Sequence, residues 1–134
     1  MLDKINHDLN KTKLSLNLHS YRQSLLASNI SNAKTPKYQA SDINFSKIFN
    51  KILDIAHEVA KKTLSTTSNK HIKNKNNSKN FEQNKLLNNN YVSKNGAVNV
   101  DIEKIKFVHN GLKYHADVVF INNKLRNITN VLQG

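Results

Sequence analysis

Apolar residues recur every three or four positions in three stretches of this chain, and only sparsely between the second and third. In the first stretch, about residues 3–32, one stripe runs Ile5, Leu9, Leu16, Leu26 and Ile30, with Thr12, His19 and Gln23 completing the spacing. A second stripe runs Leu14, Leu18, Tyr21 and Leu25. At about 100° per residue the two stripes lie on nearly opposite sides of one long helix. A helix apolar on two sides needs two partners. The next stretch, about 43–64, carries Phe45, Phe49, Ile52, Ala56 and Val59 in alternating steps of four and three. It predicts an amphipathic helix behind Asp42 as N-cap.

The last stretch, about 100–132, has the most regular pattern. Phe107, Gly111, Tyr114, Val118, Ile121, Leu125, Ile128 and Leu132 follow one another without a break in the repeat. A seven-residue repeat of this length predicts a supercoiling seam. Ile102, Ile105, Leu112, Ala116 and Val119 form a flanking stripe. The expected fold is all-α: long N- and C-terminal heptad helices paired as a coiled coil, a third amphipathic helix, and a polar disordered middle loop.

Between the helices the pattern breaks. Pro36 disfavours helical geometry at Thr35, so the first helix should end before it and 33–41 should serve as a connector. Residues 65–97 are polar and rich in Lys and Asn, with Ile72, Phe81, Leu86, Leu87, Tyr91 and Val92 as scattered anchors. Such a tract buries too little apolar area to offset its ordering entropy. A short extended piece is expected at Tyr91-Val92-Ser93, before a turn at Asn95-Gly96. The chain therefore divides into a helical segment 1–64, a low-complexity loop 65–97 and a C-terminal helix 98–134, together one structural domain.

Composition narrows the function classes. With 134 residues, 37% of them hydrophobic, and a mean hydropathy of −0.63, only part of the length can belong to a packed core. No apolar run is long enough to span a membrane, and the N-terminus lacks the apolar region of a cleavable secretory signal. The absence of cysteine excludes disulfides, cysteine-ligated zinc and thiol catalysis. The net charge of +12 raises the alternative of a basic helical nucleic-acid-binding protein. Its distribution weakens that alternative: residues 61–95 hold eight Lys and a single acid, Glu82, amid runs of Asn. Lys and Asn share A/T-rich codons, so a solvated loop of drifted composition explains the excess more simply.

Catalytic chemistry finds little support. His7, His19, His57, His71, His109 and His115 show no metal-ligand spacing, and His109 and His115 miss the one-turn separation that clamps a metal. The nine acids are dispersed, and neither a phosphate-binding glycine loop nor a nucleophile elbow occurs. No catalytic residue, cofactor, metal or small-molecule substrate is expected.

The segment Ser28-Asn29-Ile30-Ser31-Asn32-Ala33-Lys34-Thr35-Pro36-Lys37-Tyr38, directly after the first helix, resembles the Asn-x-x-Asn-x-x-Thr-Pro-x-Tyr signature of bacterial flagellar axial proteins, the rod, hook and hook-associated subunits. Gln39-Ala40-Ser41-Asp42-Ile43-Asn44-Phe45 narrows the resemblance to proximal rod subunits. Val100-Asp101-Ile102-Glu103, Asn110-x-Leu112-x-Tyr114 and the ending Asn130-Val131-Leu132-Gln133-Gly134 are similar to that group's terminal helix. Lys37 stands where the family usually has Gly. A backbone held at positive φ there would strain a lysine.

The resemblance implies a non-enzymatic subunit of the basal-body rod, homo- and heteropolymeric, meeting other rod proteins and the junction of rotor ring and export gate. It implies export through the flagellum-specific channel without a cleaved signal, with no nucleic acid and no membrane span. Assembly would run through the terminal helices and the turn between them. The expected contact residues are Leu14, Leu18, Tyr21 and Leu25 on the first helix, and Asn29, Asn32, Thr35, Pro36 and Tyr38 at its foot. Phe107, Tyr114, Val118, Ile121, Leu125, Ile128 and Leu132 are expected from the last helix. The two-sided terminal helices are expected to be marginal alone and to order as neighbours cover them.

Overall fold

A computed structural model describes residues 2–62 and 92–133. Among these residues the order is α1 (Leu2–Ser31), β1 (Ala40–Ile43), α2 (Phe45–Lys62), β2 (Val92–Asn95) and α3 (Val100–Gln133). The all-α expectation holds, with a two-stranded ribbon added. Most of the expected polar loop, residues 65–91, lies outside the described residues. No described helix is long and apolar enough to cross a membrane.

α1 and α3 run antiparallel along each other for most of their length. The core sits on the other side of α1, where Leu14 and Leu18 pack with Ile43, Ile48 and Ile52. Tyr21, Leu25, Phe45, Phe49, Leu53 and Val92 close around it. The heptad pattern of α2 therefore faces α1, as its periodicity requires.

The start of α2 differs from expectation. Asp42 does not cap it; Asn44 does, accepting the Lys47 N–H at 3.1 Å with its side chain, while its carbonyl accepts the Ile48 N–H at 3.1 Å. Asp42 lies instead in β1, which pairs antiparallel with β2 in the register Ala40↔Asn95 to Ile43↔Val92. The extended piece expected near Tyr91-Val92-Ser93 corresponds to β2, Val92–Asn95, and its partner β1 begins in the expected connector and runs through the expected cap and first residue of α2. Gly96 follows β2 with φ +33°, a conformation that glycine adopts without cost. At the head of α3, Asn99 accepts the N–H groups of Asp101 and Ile102 at 3.1 and 3.2 Å.

Candidate assembly site

The foot of α1 is built on Asn29, which is fully buried. Its amide donates to the Ser41 carbonyl at 2.9 Å and to Glu103 Oε2 at 2.7 Å. Its oxygen accepts the Ser41 N–H at 2.9 Å and the Tyr38 hydroxyl at 3.2 Å. Four hydrogen bonds are all that a carboxamide of two donors and two lone pairs can make. One side chain thereby joins α1, the turn, β1 and α3.

Asn32 ends the helix. Its backbone N–H donates to the Ser28 carbonyl at 3.0 Å and its amide to the same carbonyl at 2.9 Å. The Thr35 N–H then reaches the Asn32 carbonyl at 2.9 Å, and the Tyr38 N–H the Thr35 carbonyl at 3.2 Å. Closing this tight turn places Lys37 at φ 62°, the left-handed region where a Cβ meets its own backbone. Thr35, Pro36 and Lys37 are exposed around the turn, and Asn32 and Tyr38 are half-buried.

Beside Asn29, Arg22 grips Asp42 with two hydrogen bonds of 2.7 Å each. Burial pushes the Asp42 carboxyl up, but the Arg22 hydrogen bonds, the Ile43 N–H and the charges of Arg22 and Lys106 outweigh it and hold it below the usual carboxylate range. The same contact, above all the hydrogen bond to Asp42, raises Arg22. Lys106 reaches Glu103 at 2.7 Å and Asp42 at 4.0 Å. Its two carboxylates are buried and both are paired with half-buried cations, the condition under which burial of ions is tolerated.

The α1–α3 seam is more polar than its sequence pattern predicts. The fully or nearly buried residues of α3 are Glu103 and Asn110, not members of the Phe107–Leu132 series. With Asp117 and Lys124 they recur every seven residues, and so do Asp8, Ser15, Arg22 and Asn29 on α1. Lys124 pairs with Asp8 at 2.7 Å, the Ser15 hydroxyl donates to Asp117 at 2.6 Å, and Asn29 donates to Glu103. In each pair the two residue numbers add to the same total, the mark of a single antiparallel register. The fourth rung is shifted. Arg22 turns to Asp42, and Asn110 donates instead to the His19 carbonyl at 2.8 Å and Gln23 at 2.6 Å, while its oxygen lies 2.9 Å from His19 Nδ1. His19 is buried and stacks on Phe45 at 4.3 Å between ring centroids. A search confined to apolar repeats passes over this ladder. The same seven-residue test applied to polar residues would have found it.

The expected contact residues fall into two groups. Leu14 and Leu18 lie in the chain's own core, with Tyr21 and Leu25 packed at its edge, and Asn29 is buried in the turn network. Phe107, Val118, Ile121 and Ile128 are half-buried. Thr35, Pro36, Tyr114, Leu125 and Leu132 are exposed, and Asn32 and Tyr38 are partly so. Among the described residues no group of three or more metal-ligating side chains forms.

No protein-family model matches the chain. Individual proteins do. The chain is 60% identical over 136 residues to the flagellar basal body rod protein FlgB of Buchnera aphidicola subsp. Baizongia pistaciae, spanning the whole of both chains. It is 40% identical to the protein of that name from Buchnera aphidicola subsp. Acyrthosiphon pisum, again over the full length of both. With the Salmonella typhimurium protein of that name it shares 35% over all of this chain and 99% of the other. The chain belongs to the family of flagellar basal body rod proteins FlgB. The structure resolves the Asn29–Tyr38 segment into a helix end, a strained turn and a buried asparagine. In this member of the FlgB family the strained position is a lysine.

Proposed function

We propose that this chain is a structural, non-enzymatic subunit of the proximal rod of the flagellar basal body, which polymerises through its terminal helices and carries torque towards the hook. It reaches the rod through the flagellum-specific export channel and meets other rod proteins and the junction of rotor ring and export gate. Thr35, Pro36, Tyr114, Leu125 and Leu132 touch neighbouring subunits. Leu14, Leu18, Tyr21, Leu25 and Asn29 act from within, by holding the helices that present those residues. Phe107, Val118, Ile121 and Ile128 line the seam against α1.

The observation that carries this reading is 60% identity to a rod protein over the full length of both chains, combined with a helix, α3, that leaves large apolar side chains bare on the side away from α1. Apolar stripes left exposed mark interaction surfaces. Stiffness would come from closely packed, long helices; α3 alone, at 34 residues, is about 50 Å long.

A strain carrying only Ile121→Asp tests the reading. The charge falls on the half-buried seam, where an unpaired carboxylate costs several kcal/mol. The polypeptide should be made, yet isolated basal bodies should lack it and the cells should not swim. Normal swimming would refute the seam assignment.

A further inference from the structure

The outward side of α3 has its own repeat. Ile102, Ile105, Leu112, Ala116 and Val119 lie on the side opposite the polar ladder, and Ile105, Leu112 and Val119 are 70%, 65% and 44% exposed. Val108 and Phe120, 62% and 48% exposed, lie beside them, and His109 stands between Ile105 and Leu112; an apolar helix face left bare in this way is one that a neighbouring helix covers.

Charge decides what kind of helix. α3 carries three acids. Glu103 and Asp117 both point into the seam with α1, so Asp101, at the first turn, is the single acid left on the rest of the helix. Lys104 and Lys113 flank the stripe and Arg126 continues it one heptad below Val119; none of the three forms an ion pair among the described residues. A second copy offers little to match them. Of the acids whose side chains are described, Asp8, Asp42 and Glu103 are held in internal ion pairs and Asp117 takes the Ser15 hydroxyl beside His19. Among the acids described, that leaves Asp54 and Asp101, on separate helices.

We propose that the outward stripe of α3 docks a helix of a different protein, one with an apolar heptad seam flanked by acidic residues, and not a second copy of this chain. The proposal rests on the assembly reading above and names the partner chemistry for one face of it. Like charges opposed across a heptad seam select against self-pairing, and opposite ones select a partner.

The test uses the full-length chain and two labelled three-heptad helical peptides with the same leucine seam, one flanked by glutamates and one by lysines. Binding is followed by fluorescence anisotropy, with each peptide diluted below its own self-association. The acidic peptide should bind about tenfold tighter, three exposed ion pairs each contributing modestly, and the advantage should shrink with added salt. Leu112→Asp should abolish binding with an unchanged circular dichroism spectrum, since Leu112 is largely exposed. Lys104→Glu with Lys113→Glu should turn the preference towards the basic peptide. Three results overturn the proposal: equal binding of the two peptides, self-association of the free chain that Leu112→Asp removes, or capture by phosphatidylglycerol vesicles without preference between peptides. Failure of the assembly reading shows elsewhere, as absence of the tagged wild-type chain from isolated basal bodies. Normal incorporation without peptide preference sinks this proposal alone.

Discussion

Asn29 and Glu103 meet through a 2.7 Å hydrogen bond inside the protein, although 74 residues separate them in the chain. The contact ties the turn motif at the foot of α1 to the first turns of α3. Asn29 is spent in full on internal partners, so its place in the motif is explained by folding before any neighbour is considered. The exposed turn residues depend on it for their position.

Replacing Asn29 by alanine should therefore be costly. Asn29→Ala strands the Ser41 N–H and one side of a buried carboxylate, a loss of about 2–4 kcal/mol at the usual cost of unpaired buried groups. Asn32→Ala, at a half-exposed site, should lose about 1 kcal/mol or less. Urea unfolding of the two variants checks the order; equal losses would mean that the Asn29 network contributes little.

Lys37 is strained, and glycine would relieve it. With φ at 62°, a non-glycine residue carries about 1–2 kcal/mol, partly offset by the greater freedom of glycine in the unfolded chain. Lys37→Gly should raise stability by about 1 kcal/mol. A thermal melt that falls would show that the lysine side chain holds something the turn needs.

The shifted rung at Asn110 offers a test of the polar ladder. Asn110→Ala leaves His19 and Gln23 without their partner in a buried seam, which should cost about 2–3 kcal/mol. If Asn110 and Gln23 act as one unit, the double variant Asn110→Ala, Gln23→Ala should cost less than the two single losses added together. Strict additivity would mean that the 2.6 Å contact between them carries no coupling.

Asp42 makes the stability depend on pH in a defined direction. Its carboxyl is held below the ordinary range in the folded chain, so the stabilisation is complete above the unfolded value of about 4 and drains away as pH falls through the folded one. Asp42→Asn removes the charge at every pH. The gap in urea midpoint between the wild type and this variant should be full near pH 6–7 and close progressively below about pH 4. A gap that stays constant into acid would show that Arg22 and Asp42 gain nothing from ionisation.

Periodicity and the turn motif were legible without a structure because they are local. The 3.6-residue repeat located three helices to within a few residues, Pro36 marked the end of the first, and the order Asn29, Asn32, Thr35, Pro36, Tyr38 carried the family. The heptad faces of α1 and α2 that form the core could also be read, since apolar residues at helical spacing have to be covered. What only the tertiary structure decided is which face meets which. Each terminal helix has two candidate faces, and sequence ranks them by apolar content. The folded chain runs a polar ladder between α1 and α3, because Asp8, Ser15 and Asn29 each find a partner in a single antiparallel register. The ribbon was hidden for a related reason: four residues of β1 are too few to show a period, and their pairing with β2 spans 49 to 55 positions. Asp42 looked like a cap because an acid before an apolar run is one; Arg22, twenty residues earlier, drew it into a strand.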